Sequence, residues 1–427
     1  GAWLGSLYHG VPLVLMSPLA FIGRPVRWLE AIHRHRGTIT AAPNFAFDLC
    51  TRRIRDEDLA GLDLSSLRAV YNGAEPVSVE TMQRFTDRFA PHGFRPEAMM
   101  PVYGLAESSV ALTFPPLGRR PLIDTIDRRS LATSGQAIAV PADTENARRL
   151  VACGSPLPDH EVRIVDDADR ELPDRQEGHI QFRGPSTTEG YLHNPEANAR
   201  LLHGDWLDSG DLGYIAQSDL YVTGRVKDII IKAGRNIYPE ELEAAVGAID
   251  GVRAGCVAVF GTHDATDDGG EQLVVMAESR KTAEADRERL SRAIEALALD
   301  LTGMPADRVV LAPPNTVLKT SSGKIRRDAC RQLFERGAVG EKRRPVWQQV
   351  LALKLASIAP QLARWRRRAS ASLFAIWGWL LVVALAPLGW LCVLVLPSVE
   401  SRWAVAGAIL RLMARLSGTP LQVHGLE

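Results

Sequence analysis

Two stretches, Trp206-Leu-Asp-Ser-Gly-Asp-Leu-Gly-Tyr214 running on to Thr223-Gly-Arg-Val-Lys-Asp228, and Leu318-Lys-Thr-Ser-Ser-Gly-Lys-Ile-Arg-Arg327, decide how the rest of this chain is read. Asp211 sits in a Ser-Gly-Asp-Leu-Gly turn, where an acidic side chain can accept hydrogen bonds from both hydroxyls of a ribose; turn chemistry alone explains it equally. Lys324 follows Ser321-Ser322-Gly323, a flexible turn that lets an ammonium reach into a cleft, and it precedes a helix-like run, Ile325 to Arg336. The plainer alternative is a solvated lysine at a helix start. The segment is no Walker loop, because no glycine stands five residues before Gly323 and Ile325 occupies the place that Ser or Thr must fill.

Upstream lies Val102-Tyr-Gly-Leu-Ala-Glu-Ser108, and between the two stretches lies Gly234-Arg-Asn-Ile-Tyr-Pro239. In this order and at this spacing the motifs resemble the adenylate-forming, or AMP-binding, superfamily, which activates carboxylic acids with ATP. The resemblance implies that Asp211 binds the ribose with help from Arg225. It implies that Tyr103 stacks on adenine beside Gly104, and that Glu107 ligates Mg²⁺ at the phosphates. Gly73, Ala74, Glu75 and Pro76 match the loop that lies along the adenine. Taken alone, Tyr103 reads equally as a strand-end aromatic and Glu107 as a surface charge. By the same resemblance Lys227 is the hinge, Gly234 belongs to the loop that meets an incoming thiol, and Lys324 is the catalytic lysine.

The chemistry requires such groups. A carboxylate attacking the α-phosphate of ATP brings negative charge to negative charge, so the site must supply cations and hold both reactants in line. Lys324 supplies one cation.

The chain has 427 residues, 46% of them hydrophobic, enough for two or more domains with large cores. Fifty basic residues balance fifty acidic ones, so no nucleic-acid-binding field is implied. Cys50, Cys153, Cys256, Cys330 and Cys392 are scattered without a C-x-x-C pair, which argues against a zinc site or a disulfide framework and suits a reducing cytosol. The chain opens in mid-pattern at Gly1 and lacks the Ser/Thr/Gly-rich phosphate loop of the superfamily, and it reads as a fragment without its N-terminal portion.

Strand-like runs alternate with amphipathic helical ones, giving an α/β architecture. Pro25 to Arg36 and Val77 to Phe89 read as helices; Thr38 to Ala42 and Leu67 to Tyr71 read as strands. The expected organisation is an incomplete large domain over 1–223, ending in a β subdomain with strands at Glu161 to Val165 and His179 to Phe182. A small α+β domain over 224–338 follows, with strands at Asp228 to Ile231, Val252 to Phe260 and Glu271 to Ala277 and helices at Pro239 to Ala248 and Ala283 to Leu301.

A basic linker over 339–368 ends in Arg364-Trp-Arg-Arg-Arg368, and no charge occurs from Ala369 to Val399. About 20 apolar residues span a bilayer, so the 369–399 stretch is long enough for one tilted helix or, broken at Pro387 and Gly389, a re-entrant hairpin. The arginines should stay cytoplasmic, placing the catalytic domains in the cytosol, anchored to the inner membrane and facing membrane lipid. Trp403 to Leu416 is amphipathic and suited to a membrane surface. Residues 400–427 resemble the lead-in to lysophospholipid-type acyltransferases, ahead of their His-x4-Asp motif. His263 and Asp268 have that spacing by coincidence.

Within the superfamily the likeness is to the fatty acyl-AMP ligase branch, on Asn72-Gly-Ala-Glu-Pro76, Ala42-Pro-Asn-Phe-Ala-Phe-Asp48 and an extra stretch from Gly118 to about Leu150. Phe45 and Phe47 would line the acyl channel or else form an ordinary core stripe. In that branch the insertion is thought to restrain domain rotation and block transfer to coenzyme A, leaving a carrier protein's phosphopantetheine as acceptor. Here the stretch is polar, with little to anchor it. The expected activity is ATP-dependent activation of a fatty acid to an acyl-adenylate and its transfer to an acyl carrier protein. The alternatives are a fatty acyl-CoA synthetase and an inactive acyl-binding scaffold.

Overall fold

The computed structural model describes residues 2–145, 147–262, 271–320, 324–339 and 346–419, with the backbone path alone over 346–368. His263 and Asp268, Ser321 to Gly323 and the last eight residues lie outside the described residues. The chain forms two compact units, Gly1–Gly340 and Glu341–Glu427.

The first unit begins around a three-stranded parallel sheet. Helix α1 (Val26–His35) leads to strand β1 (Ile39–Ala42), helix α2 (Asn44–Arg53), strand β2 (Ala69–Asn72), helix α3 (Val79–Phe89) and strand β3 (Met99–Pro101). β1 pairs with β2 and β2 with β3, so that Asn72 and Pro101 end side by side. α3 starts where the Ser78 hydroxyl accepts the Thr81 amide, and it buries Val79, Met82, Phe85 and Phe89 on one face. Phe85 meets Phe47 of α2 at a ring distance of 4.9 Å. Each such fully buried aromatic stabilises the core by about 1.5–3 kcal/mol.

The Gly118 to Leu150 stretch differs from its sequence reading. Strand β4 (Ile123–Asp127), helix α4 (Arg128–Ser134) and strand β5 (Ala147–Val151) form an antiparallel hairpin that carries a capped helix. Asp127 accepts the Ser130 amide at 2.7 Å, and Gly135 closes the helix at φ 68°. Ile126 and Leu131 are fully buried in one cluster with Tyr214, Tyr221 and Tyr238. The stretch looked unanchored because its anchors are single apolar residues set among polar ones.

Strands β6 (Glu161–Val165), β7 (Gly178–Arg183), β8 (Trp206–Ala216) and β9 (Asp219–Arg225) build the antiparallel sheet expected of the β subdomain. Beyond it, strands β10 (Ile230–Lys232) and β11 (Arg235–Ile237) form a hairpin, followed by helix α5 (Pro239–Val246). β10 starts two residues later than the sequence suggests, because the amides of Asp228 and Ile229 turn back onto the Arg225 carbonyl. Strands β12 (Val252–Thr262), β13 (Gln272–Ser279) and β14 (Arg308–Ala312) make a C-terminal subdomain sheet, covered by helix α6 (Glu284–Thr302), which buries Leu290, Ile294 and Ala298. Helix α7 (Arg327–Glu335) begins two residues after Ile325, since Ile325 bridges back to Lys319.

In the second unit, helix α8 (Val346–Val395) runs unbroken through Pro387 and Gly389. A proline inside a helix removes one donor, a local loss. The break falls instead at Leu396 to Ser398, where the Ser398 hydroxyl caps helix α9 (Val399–Ser417). Of the two alternatives for 369–399, the helix is therefore continuous at Pro387 and Gly389. Ser372–Val395 is long and apolar enough to cross a membrane, and Trp379, Trp390 and Val395 are exposed on it.

Candidate active site

The parallel strands β2 and β3 deliver two loops to one edge, outside their carboxyl ends, where open α/β sheets place their ligands. Gly73 stands where a Cβ would come within 2.7 Å of the Val102 carbonyl oxygen. At Gly104 a Cβ would lie 1.9 Å from the Val110 carbonyl oxygen. At Gly73 the two loops meet too closely for a side chain, and at Gly104 the second loop folds back on itself as closely.

Asn44, first residue of α2, fastens the adenine-loop candidate. Its amide donates to the Pro76 carbonyl at 2.5 Å, and its oxygen accepts from Asn72 and from the Ser78 backbone, both at 3.2 Å. Ala74 takes a positive φ of 67°, and Glu75 accepts the Phe45 amide at 3.3 Å. Burial raises the Glu75 carboxyl, opposed by the backbone amides of Phe45 and Asn44 and by the charge of Lys324. Lys324 therefore acts electrostatically on the loop that the sequence assigned to adenine.

β8 bulges between Asp208 and Leu212 against β7, so Ser209, Gly210 and Asp211 leave the pairing with β7 while Asp211 still pairs with β9. Gly210 at φ 71° donates to Asp208 at 2.7 Å, and the Asp211 amide donates to the Ser209 hydroxyl at 3.1 Å. Asp211 is directly cross-strand from Arg225, whose Nε lies 3.2 Å from Oδ1. The Tyr103 hydroxyl donates to Oδ2 at 2.7 Å. Burial raises both the Asp211 carboxyl and the Tyr103 phenol. The fold thus joins Tyr103, Asp211 and Arg225, residues more than a hundred positions apart in part.

Glu107 sits in the one-turn helix Ala106–Ser108 and accepts a hydrogen bond from the Tyr191 hydroxyl; this bond pushes the Tyr191 phenol up to about 12. Its carbonyl accepts the Thr188 amide at 2.8 Å. The loop leaves Glu107 through Ser109 and Val110 at φ 52° and 86°, a left-handed path that is unusual for a β-branched residue. Among the described residues no three His, Cys, Asp or Glu side chains converge on one point. Mg²⁺ held through nucleotide phosphates needs only one or two carboxylates beside water and phosphate oxygens, so Glu107 fits that donor set.

The remaining candidates lie elsewhere. Lys227 is exposed in the turn after Arg225, and Gly234, at φ 73°, forms the open tip between β10 and β11. Phe47 is fully buried against Trp28 and Phe85, whereas Phe45 is 41% exposed. Sequence reading missed Tyr191, Asn44 and the partners of the insertion hairpin. Arg128 on α4 reaches Glu241 of α5 at 2.7 Å, and Arg148 of β5 lies over the Tyr238 ring at 4.0 Å. The Tyr238 hydroxyl donates to the buried Glu177 at 2.8 Å.

Comparison with known proteins agrees with these motifs. Residues 1–192 match the family of AMP-binding enzymes. Over those residues the chain is similar to AMP-binding enzymes. A long-chain-fatty-acid-AMP ligase FadD26 of Mycobacterium marinum is 38% identical over 76% of this chain and 57% of its own length. A putative acyl-CoA synthetase of Caulobacter vibrioides is 35% identical over 80% of this chain and 61% of its own length. Among solved structures, one from a study of fatty acyl-adenylate ligases of E. coli and L. pneumophila aligns with a TM-score of 0.68 and 36% identity, covering 74% of this chain and 56% of that one. The fold is thus the mixed α/β adenylate-forming fold, and the chain spans about three fifths of the length of the curated relatives it matches.

Proposed function

We propose that the protein activates a fatty acid with ATP to an acyl-adenylate and passes the acyl group to the phosphopantetheine thiol of a carrier protein. One observation carries the first half: Tyr103, Asp211 and Arg225 meet at one point. In this reading Asp211 and Arg225 hold the ribose, and Tyr103 and the Gly73 to Pro76 loop flank the adenine. Lys324 stabilises the charge that builds on the α-phosphate as the carboxylate attacks. Glu107, steadied by Tyr191, would hold Mg²⁺, which neutralises phosphate charge when bound. Phe45, at the exposed edge of α2, would stand at the mouth of the acyl pocket, with Phe47 behind it.

The second half rests on the insertion hairpin. Arg128 and Arg148 engage Glu241 and Tyr238 beyond the hinge, which favours the adenylating arrangement over one rotated about Lys227 toward the Gly234 loop. Such a bias supports a carrier acceptor over free coenzyme A. The likeness to a putative acyl-CoA synthetase favours the other acceptor. Mass spectrometry of products formed by the native full-length protein from ATP and a panel of fatty acids, with coenzyme A and carrier protein offered separately, decides between them. Acyl-carrier product with little acyl-CoA supports the proposal; efficient acyl-CoA synthesis replaces it with the synthetase reading, and no adenylate at all leaves the acyl-binding scaffold.

The apolar Ser372–Val395 segment, preceded by the Arg364 to Arg368 cluster, is proposed to hold the ligase at the cytoplasmic face of a membrane, ahead of an acyltransferase module. Flotation of the full chain with liposomes tests the membrane contact; a chain that stays in the aqueous fraction refutes it.

A further inference from the structure

Arg327 stands three residues after Lys324 and opens helix α7, with its side chain only 13% exposed. Its Nη1 lies 2.6 Å from Asp228 Oδ2 and 2.9 Å from Glu240 Oε1. Nη2 and Nε hold the two oxygens of Glu243 at 2.7 and 2.9 Å. Glu243 is itself buried, and its Oε1 accepts the Val259 amide of β12 at 3.0 Å. One guanidinium therefore joins the residue beside the hinge, helix α5 with its sheet, and the base of the lysine turn.

The described residues on either side of the lysine turn bond to one another. The Arg326 amide donates to the Leu318 carbonyl and the Thr320 amide to the Lys324 carbonyl, both at 2.8 Å, while the Lys324 amide donates to the Thr320 hydroxyl at 3.1 Å. On the other side, the Asp228 amide bonds to the Arg225 carbonyl at 3.0 Å, and Arg225 pairs with Asp211. A continuous chain of contacts thus runs from the ribose candidates, across the hinge, to the lysine.

Three carboxylates around one buried cation make a poor device for stability, since apolar packing would fix α7 to α5 at lower desolvation cost. What the planar fork adds is orientation, because a bidentate pair fixes direction as well as distance. We infer that Arg327 is a positioning residue for adenylation: it locks the Lys324 turn to the first residue beyond the hinge, so that rotation about Lys227 carries the ammonium as a rigid arm. Arg327 itself touches no reactant, and the inference rests on the proposed role of Lys324.

A double-mutant cycle on the native full-length protein separates this role from a structural one. Arg327→Lys keeps the charge and loses the fork. It should lower kcat for pyrophosphate exchange by about tenfold to a hundredfold, as for a small misplacement of a catalytic group, with KM for ATP changed less than about twofold. Transfer from a supplied acyl-adenylate should be unchanged. In a Lys324→Ala background the same substitution should cost less than about twofold, because its only route to the chemistry is gone. Additive losses, or wild-type exchange by Arg327→Lys, overturn the inference while leaving the lysine reading intact. Wild-type exchange by Lys324→Ala overturns both. Should Arg327→Lys fail to fold, Asp228→Asn removes a single acceptor and is read in the same cycle by the same criterion.

Discussion

The part of the first unit before Lys227 and the part after it meet in two ways that could hardly differ more. On one side Arg128, Arg148 and Tyr238 make a largely buried set of ion pairs, a ring contact and hydrogen bonds at ordinary bonding distances. On the other, the charge of Lys324 opposes the rise that burial imposes on the Glu75 carboxyl. In the proposed reaction the tight contact lies away from the chemistry and the loose one lies at it. A group that must approach an α-phosphate and then withdraw is best held by field and by its own rigid base; a restraint on rotation is best made of short-range contacts that all break together.

Cutting the loose contact should have the largest effect. Lys324→Ala should lower adenylate formation by roughly two to three orders of magnitude, as for loss of a charge-stabilising donor, and leave transfer from a supplied adenylate much less affected. Equal losses in the two half-reactions, measured separately, would show that the contact is not specific to adenylation. Cutting the tight contact should do the reverse. Arg128→Ala with Glu241→Gln should raise acyl-CoA formation by about tenfold or more, since a change of one or two kcal/mol in the rotated state's cost shifts its population by that much. Unchanged coenzyme A activity alongside unchanged adenylation would mean the hairpin restrains nothing.

Tyr238→Phe sharpens the comparison on the stability scale. It removes the donor to a buried carboxyl, which should cost about 1–3 kcal/mol and lower the thermal midpoint by a few degrees. A midpoint equal to wild type would show that Glu177 finds another donor.

The smallest effect concerns pH. A hydrogen bond to Asp208 raises His179, and one to Asp169 raises His203. Their folded values lie above the unfolded ones, so the stability they contribute is fully present below about pH 6.5 and is lost as pH rises through the folded values. The thermal midpoint should therefore drift down by a degree or two between about pH 6 and 8, and His179→Ala should flatten part of that drift. A midpoint that rises over the same interval would reverse the sign.

Asp211 with Arg225, and the loops at Gly73 and Gly104, were legible through the resemblance of their motifs to the AMP-binding superfamily; the hairpin pairing of β8 with β9 and the close backbone approaches at the two glycines emerge only in the fold. The sequence did not allow Tyr191 to be placed on Glu107, or Lys324 near Glu75, since those meetings depend on how β8, β9 and the hinge turn orient whole segments. The hairpin at Gly118 to Leu150 was misjudged for a related reason. Its large buried apolar residues, Ile126 and Leu131, are five apart and belong to different elements, so neither a strand nor a helix period reveals them.

Val110 carries a consequence of its own. A β-branched residue held at φ 86° costs on the order of 1–3 kcal/mol, and its carbonyl is the atom that forbids a side chain at Gly104. Replacement by glycine would recover much of that energy and slow unfolding while letting the Glu107 loop sample other paths. At this one position heat resistance and a fixed path for the Glu107 loop therefore pull in opposite directions.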